Sequence, residues 1–448
     1  MAEEKLFASL PEQRGPARER GAPRLLRAER RQVMLRAVDL DGLVGADDPV
    51  RDVWVFVEGL DLGALYAAIE AREGEPGRPT IDPKILMALW LYATLRGVGS
   101  ARAVERLCER EIAFQWLCGG VGVNYHTLSD FRVAHGDLLD RLLSESVAAL
   151  VAEGLVSLDR LSLDGVRVRA SAGAASFHRR PSLEVCRREA RQLVRRLTRE
   201  LEADPAAGER RRQAAQARAA RERLGRIEAA LRKMGSRQNE RRAGRRQPAE
   251  AADKRPPLRT STTDPEARVM KMPDGGWRPA YNGQLIGDPL ANVVVGVEID
   301  TSGSDHGWIT PMLRQVKARY ARTPSDLLVD GGFSRAGDIE WAARRENGAT
   351  AVFMAPTKSK HGTDPCQPRA GDGPGVAAWR ARMASDAGQA VYKLRCLHER
   401  INAGVRRQGL THFTVRGKAK ARIVLLWHAL AHNLMRGCSL RRAASAAA

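Results

Sequence analysis

Residues 392 to 406, YKLRCLHERINAGVR, space a phenol, a carboxylate and two guanidinium groups at helical intervals. At about 100° per residue, one stripe about 60° wide on a continuous helix would carry all four groups, Tyr392, Arg395, Glu399 and Arg406. The carboxylate could bind a divalent cation, and the guanidinium groups could pair with phosphate oxygens. The alternative is a surface ion-pair face, because Arg395 and Glu399 stand four residues apart.

Two aspartates in strand-like segments could supply further metal ligands. Asp164 lies within LSLDGVRVR, where an unpaired carboxylate in a central strand would be costly to bury. Asp330 ends the apolar run DLLVD before two glycines, and ligands of open α/β sheets sit beyond the carboxyl ends of strands. Asp159 and Asp300 are rival candidates, since spacing along the chain does not rank them.

Asp330 has a simpler interpretation as a turn former or helix cap. Ser334 or Asp338 is expected to cap the following helix, which would leave Asp330 available for a metal. Two strand aspartates and one helical glutamate form the ligand set that two Mg²⁺ ions need for in-line attack on a phosphodiester.

The charge of the chain points to a polyanionic partner. The 448 residues are 43% hydrophobic, which is enough for two or three globular domains. A formal net charge of +21 creates a field that attracts nucleic acid. A GC-rich genome would enrich arginine, but it would not by itself unbalance basic and acidic residues so far.

Cysteine usage and hydropathy give the expected compartment. The six cysteines include no C-x-x-C pair, so neither a zinc site nor a disulfide framework is predicted, and they suit a reducing cytoplasm. The N-terminus lacks the pattern of a secretory signal, and the longest apolar run, ILMALWLYATL, is too short to cross a bilayer. We therefore expect a cytoplasmic protein with no membrane role.

The N-terminal third predicts an arm followed by helices. Residues 1–50 have little periodicity and are expected to form a basic flexible arm. Residues 51–154 are expected to form a helical, helix-turn-helix-like DNA-binding domain, with Asp82 and either Asn124 or Thr127 as helix caps. Arg102 and Arg132 are its candidate DNA contacts. A packing module without DNA contact is the alternative.

From residue 155 the pattern changes to β-branched runs alternating with helical segments, which predicts an α/β domain over 155–437 and a tail over 438–448. Two strands flanking a helix favour a parallel crossover, and Gly165 could turn or bulge an antiparallel edge. An Arg-rich insertion with a linker, about residues 183–260, is expected to form one or two solvated helices.

These motifs, taken together, resemble a known family. YKLRCLHERINAGVR resembles the Tyr-x2-Arg-x3-Glu-x6-Lys/Arg signature of the DDE transposases encoded by bacterial insertion sequences, with Arg406 where lysine is commoner. SLDGVRVRAS and LLVDGGFS resemble their first-Asp and second-Asp strands. PAYNGQ is similar to the stretch preceding their middle strands, and IDPKILMALWLYATLRGVGSARAVERLCERE resembles their N-terminal DNA-binding helices. The likeness extends from about residue 50 to residue 436.

The resemblance implies a ribonuclease-H-like catalytic domain, preceded by an all-helical DNA-binding domain. It implies that Asp164, Asp330 and Glu399 are the catalytic, metal-binding triad for two Mg²⁺ ions, with Mn²⁺ as a substitute. Tyr392, Arg395 and Arg406 would contact DNA.

The family's activity would be to bind terminal inverted repeats as a homo-oligomer in a nucleoprotein complex, cleave the element ends and transfer the 3′-OH ends into target DNA. Such a protein would act in the bacterial cytoplasm at the nucleoid. A nuclease that cuts without joining would share the triad. An inactive DNA-binding relic would lack one acidic ligand, and all three are present.

Overall fold

A computed structural model of the chain describes residues 39–71, 74, 79–203, 207–243, 257–356 and 364–447. Most of the expected N-terminal arm and residues 244–256 of the expected linker lie outside these ranges. Within them, no helix is long and apolar enough to cross a membrane.

Helices occupy the described residues between 49 and 152. They are α1 (Pro49–Glu58), α2 (Gly63–Ala67), α3 (Pro83–Leu95), α4 (Ala101–Arg110), α5 (Ile112–Cys118), α6 (Tyr125–Ala134) and α7 (Gly136–Ala152). The predicted caps are confirmed, because Asp82 accepts a hydrogen bond from the Lys84 amide and Asn124 accepts one from the Thr127 amide. Helix α3 is buried almost all round, which explains why it has no polar face.

The long C-terminal helix α15 (Lys418–Ala447) joins these helices to the sheet. It buries Leu425 and Trp427 in a hydrophobic core that also contains Trp90 of α3 and Val166 of the sheet. The helical region and the sheet therefore share one core instead of meeting at a polar linker. Because α15 continues to Ala447, the expected separate tail is part of this helix.

A mixed sheet forms the centre of the remaining chain. Its strands are β1 (Arg160–Arg169), β4 (Arg268–Lys271), β5 (Trp277–Asp288), β6 (Val293–Asp300), β7 (Asp326–Val329) and β8 (Ala351–Phe353). The order is β4-β5-β1-β7-β8, with β6 also paired to β5. Strands β4, β5, β6 and β1 pair antiparallel, whereas β1, β7 and β8 pair parallel. Strands β2 (Phe177–His178) and β3 (Thr260–Ser261) form a separate pair.

Helices cover the sheet and make the connections between its strands. They are α10 (Ile309–Tyr320), α11 (Ala336–Ala343), α12 (Pro374–Ala384), α13 (Asp386–Lys393) and α14 (Glu399–Arg407). The parallel crossover expected from the sequence is confirmed, since α11 connects the parallel strands β7 and β8.

Two expectations about strands were wrong. Gly165 neither turns nor bulges the chain, because β1 continues through it in unbroken antiparallel register with β5. PAYNGQ does not precede the middle strands but lies inside β5, where Tyr281, Asn282 and Gln284 are all buried. A strand with two buried faces has no alternating pattern, so β5 gave little sequence signal.

The Arg-rich insertion forms a hairpin of α8 (Arg180–Ala203) and α9 (Ala207–Ala243). Arg191 pairs with Glu228 and Arg221 donates to Thr198, so the two helices run antiparallel. Their small apolar contact includes Leu183, Ala230 and Met234. The hairpin thus has little core of its own.

Candidate active site

The sheet register brings Asp164 and Asp330 next to each other. The last parallel pair between β1 and β7 is Leu163 with Val329. Asp164 and Asp330 are the next residues on these adjacent strands, and residues that follow a register pair lie on the same side of a sheet. The chain then turns away at Gly331, so β1 loses its β7 neighbour at this level.

Asp164 is a half-buried carboxylate among other acids. Its oxygens accept hydrogen bonds from the Gly165 amide at 2.8 Å and from Asn402 Nδ2 at 2.9 Å. Burial, together with the charges of Glu399 and Asp305, raises the pKa of Asp164 to about 6, although the Gly165 amide and Arg395 act to lower it. Glu399 and Asp305 are therefore close enough for their charges to reach Asp164.

The helix that carries Glu399 differs from the expectation. Residues 392–406 do not form one α-helix, because α13 ends at Lys393, a 3₁₀ segment spans Leu394–His398 and α14 begins at Glu399. Because one 3₁₀ turn contains three residues, Tyr392 and Arg395 lie one above the other, and the Arg395 guanidinium lies 5.9 Å from the centre of the Tyr392 ring. In the described chain Arg395 and Glu399 form no ion pair, which argues against the ladder alternative.

A buried histidine anchors this segment to the strand of Asp164. His398 is 1% exposed, and its Nδ1 lies 2.7 Å from Ser162 Oγ on β1. Burial, and secondarily the charge of Arg395, lowers the pKa of His398 to about 3, so the ring is neutral. His398 and Asn402 flank Glu399 in the chain and both contact β1 near Asp164. The sequence analysis missed both of them.

Asp330 is exposed and caps a turn. Its Oδ1 accepts the Gly331 amide at 2.6 Å, at the start of the 3₁₀ turn Gly331–Phe333. The expectation that Ser334 or Asp338 caps α11 was wrong, because its N-cap is Arg335 without a side-chain bond, and Asp338 accepts from Thr310 instead. Asp330 thus has one local hydrogen bond and an open side toward solvent.

The two rival aspartates are satisfied within their own turns. Asp159 precedes β1 and accepts a hydrogen bond from Ser157 Oγ at 2.8 Å. Asp300 ends β6 and accepts from the Thr301 amide and the Ser302 hydroxyl. The acidic charges that act on Asp164 come from Glu399 and Asp305 instead.

Asp305, in the loop between β6 and α10, is an acid that the sequence analysis did not single out. Its Oδ1 accepts hydrogen bonds from Asn282 Nδ2 at 2.6 Å and Gln284 Nε2 at 2.7 Å, both from β5. A Cβ atom at Gly165 would overlap this carboxylate. Its only sequence signal was the turn TSGSD after a strand.

The donor set around Asp164 suits a hard divalent cation. Carboxylate and amide oxygens are the ligands that Mg²⁺ and Mn²⁺ prefer. The buried oxygens Asn282 Oδ1, Gln284 Oε1 and Asn402 Oδ1 have no hydrogen-bond partner, so oxygen donors are available. In the described residues no three His, Cys, Asp or Glu side chains are grouped closely enough to hold an ion. Carboxylates without a counter-charge repel one another. In agreement with this, Asp164 and Asp330 each accept a hydrogen bond from the backbone amide of the next residue.

The three arginines expected to contact DNA have different environments. Arg406 on α14 and Arg102 on α4 are exposed, and the Arg102 guanidinium lies 4.8 Å from the Tyr125 ring. Arg132 is 8% exposed, and it donates to the Gly99 carbonyl and to Thr414 Oγ1 while lying over the Trp90 ring. This burial argues against the expected DNA contact of Arg132, whose guanidinium is already used inside the fold.

Comparison with known families gives two matches. Residues 38–134 match the family described as Transposase domain (DUF772). Residues 257–434 match the family described as Transposase DDE domain, a range that includes Asp330 and Glu399 and begins after Asp164 and the hairpin. No curated protein and no solved structure matches the chain.

Proposed function

Because the chain belongs to the DDE transposases of insertion sequences, we propose that it binds the terminal inverted repeats of its element, cleaves the DNA at the element ends and joins the freed 3′-OH ends to target DNA. The observation that carries this proposal is that Asp164 on β1 and Asp330, directly after β7, both follow the last register pair of these neighbouring strands, while the charge of Glu399 acts on Asp164.

The sheet topology supports a ribonuclease-H-like fold for the catalytic part. Three antiparallel strands, β6, β5 and β1, are followed by β7 and β8 in parallel beside β1. The two aspartates follow the point where β1 and β7 separate, and Glu399 comes from a helix packed near β1. This arrangement supports the proposal that Asp164, Asp330 and Glu399, which are 166 and 69 residues apart in the sequence, form one active site.

Each residue of the cleft has a proposed role. Asp164, Asp330 and Glu399 would hold divalent cations, which supply Lewis-acid stabilisation of the reacting phosphodiester when bound. Arg395 stabilises the ionised form of Asp164 and presents a guanidinium to a phosphate, while Tyr392 supports that guanidinium with its ring. His398 and Asn402 fix the Glu399 segment against β1.

The exposed arginines would bind the duplex away from the chemistry. Arg102 and Arg406 are free to contact phosphates, and the net charge of +21 favours association with any polyanion. We include in the proposal that two or more copies act together on paired element ends.

The test uses duplex DNA carrying the inverted repeats that flank the reading frame. Asp330→Asn and Glu399→Gln should bind this DNA like the wild type but yield no nicked strand and no joined product in Mg²⁺. Asp159→Asn is the matched control, because it removes an acidic charge from a turn near β1 and should leave nicking unchanged.

The products separate this proposal from its alternatives. Nicked strands with 3′-OH ends and strands covalently joined to target DNA support a transposase that completes transfer. Nicking without joining would instead support a nuclease. Binding without nicking in the wild type would support an inactive relic.

A further inference from the structure

Asp305 is held against the strand of Asp164 by two buried side-chain amides of β5. Asn282 and Gln284, 1% and 0% exposed, both direct their amide nitrogens to Asp305 Oδ1. Gly165 is the β1 residue that Asp305 approaches, and any side chain there would overlap the carboxylate. Burying two side-chain amides costs desolvation energy, so a favourable interaction of Asp305 must compensate for it.

The second carboxylate oxygen of Asp305 lies near the turn that follows β7. Because Oδ1 already accepts two hydrogen bonds, Oδ2 is the oxygen left over, and it lies 3.9 Å from the place where a Cβ of Gly332 would be. Gly332 follows Asp330 by two residues. Asp305 therefore reaches the gap between β1 and β7 from the face that α10 covers, whereas Asn402 and His398 bring Glu399 from the opposite face.

A second, independent feature marks this gap as a place for a ligand. The buried oxygens Asn282 Oδ1 and Gln284 Oε1 lack any hydrogen-bond partner, and Asn282 Oδ1 lies 2.9 Å from the Cβ position of Gly165. Unpartnered buried oxygens beside acidic side chains disfavour the empty cleft and favour a positive ligand. A helix-capping or turn-forming role for Asp305 would leave both of these oxygens unexplained.

We propose that Asp305 is a fourth carboxylate of the divalent-cation centre, held in place by Asn282 and Gln284. This inference rests on the proposed function, because it adds one acid to the set of Asp164, Asp330 and Glu399. The added charge strengthens cation binding in the cleft, and Gly165 is required so that Asp305 can come this near to β1.

The substitution Asp305→Asn separates charge from structure. An asparagine keeps one side-chain oxygen that can accept from both amides, and it replaces the free oxygen by an uncharged NH₂ group. Asp300→Asn is the matched control, since it lies in the same loop, loses the same charge and is bonded to Thr301 and Ser302 instead of facing the cleft.

The measurement is Mn²⁺ affinity of the full-length, DNA-free protein, followed by the electron paramagnetic resonance of free Mn²⁺. We expect Asp305→Asn to weaken binding roughly 10- to 100-fold, the range found for residues that support a metal site, and Asp300→Asn to stay within about twofold. Melting in a chelator should show no loss of stability for Asp305→Asn, because the hydrogen bonds remain and repulsion with Asp164 decreases. If the Asp305→Asn variant does not fold, Asp305→Ser, which also removes the charge, is measured in its place.

The outcomes distinguish this inference from the proposed function. If Asp164→Asn abolishes Mn²⁺ binding while Asp305→Asn matches Asp300→Asn, Asp305 is not part of the centre and the proposed function stands. If Asp305→Asn melts lower in chelator and binds Mn²⁺ normally, Asp305 only positions its loop, and the inference is wrong. If Asp164→Asn also binds Mn²⁺ normally, the cation centre of the proposed function is itself wrong.

Discussion

Two buried regions of this protein contain an aspartate whose pKa is raised by burial, and they have opposite surroundings. Asp264 is fully buried, and the Tyr281 hydroxyl donates to its Oδ1 at 2.7 Å and its Oδ2 at 2.8 Å, with the Gly417 amide also donating. Asp164 has Glu399 and Asp305 nearby, and their charges raise its pKa further. Around Asp264 the neighbours are hydrogen-bond donors, whereas around Asp164 they include other acids.

The two aspartates are buried for different reasons, one structural and one connected with the site. Asp264 connects β5, through Tyr281, to the start of α15, through Gly417, so its donors belong to the folded core. Asp164 has no neighbour that cancels its charge fully, since Arg395 is opposed by two acids. A surplus of acids that destabilises the protein alone is expected where a cation completes the site.

The largest expected effect separates activity from stability at these two aspartates. Asp164→Asn should lower DNA nicking about 100-fold or more, because several kcal/mol of transition-state stabilisation depend on the cation. Asp264→Asn should nick normally per folded molecule and lose about 1–3 kcal/mol of stability, since it weakens a buried hydrogen-bond group. Single-turnover nicking and urea unfolding of both variants check this. An equal loss of nicking in Asp164→Asn and Asp264→Asn would show that the two aspartates do not differ in function.

Divalent cations should stabilise one region and not the other. Mg²⁺ or Mn²⁺ at a hundredfold excess over Kd should stabilise the wild type and Asp264→Asn by about 2.7 kcal/mol, and chelation should reverse this. Asp164→Asn should show no such gain. Thermal melting with and without Mg²⁺ or Mn²⁺ checks this, and an equal gain in all three proteins would mean that the cation binds elsewhere.

The Asp264 region gives a pH-dependent effect of intermediate size. Tyr281→Phe removes the hydroxyl that lowers the pKa of Asp264, so that pKa should rise further above its ordinary value of 3.8. A carboxyl with a raised folded pKa contributes stability when protonated and loses it as pH rises through the folded pKa. The variant should be about 1–3 kcal/mol less stable than wild type at neutral pH, and the gap should narrow as pH falls through the raised folded pKa values of Asp264 in the two proteins. Urea unfolding across this range checks the sign.

The smallest expected effect concerns exposed charge. Arg406→Ala should reduce the slope of log affinity against log salt by about 0.9, as the loss of one phosphate contact requires, with stability within about 0.5 kcal/mol of wild type. Arg132→Ala is the contrasting variant, because it should destabilise the fold by about 1.5–3 kcal/mol and leave the slope of the folded protein unchanged. A reduced slope in Arg132→Ala would return that residue to the DNA surface.

Local chemistry made several features of the fold predictable from sequence. Asp82 with Pro83, and Asn124, specify helix starts through contacts only two or three residues away, and both caps are present. The parallel crossover through α11 followed from two apolar strands flanking a helical segment. These signals depend on residues that are close in the sequence, so they can be read without knowing how the rest of the chain folds.

Where a long-range contact competes, sequence reasoning failed. The helix expected over 392–406 is interrupted by a 3₁₀ segment in which His398 reaches β1, and a contact 236 residues away along the chain has no helical periodicity to reveal it. Arg132 was expected to contact DNA because it lies among short helices that fit a helix-turn-helix-like unit, but in the fold it lies over the Trp90 ring and donates to Thr414. Asp330 was expected to be free of capping, but it takes the nearest amide itself.

Composition and local patterns in the chain were enough to give the basic charge, the helical and strand-like regions, and the motifs that point to the family and to Asp164, Asp330 and Glu399 as candidates. Only the folded chain shows which groups surround each acid: Asp305 accepts hydrogen bonds from Asn282 and Gln284 of β5, whereas Asp264 accepts them from Tyr281. The reason is physical, because a carboxylate has the same type and hydropathy in every sequence context. Its pKa, its hydrogen bonds and its role are fixed by groups that strand register and helix packing bring beside it.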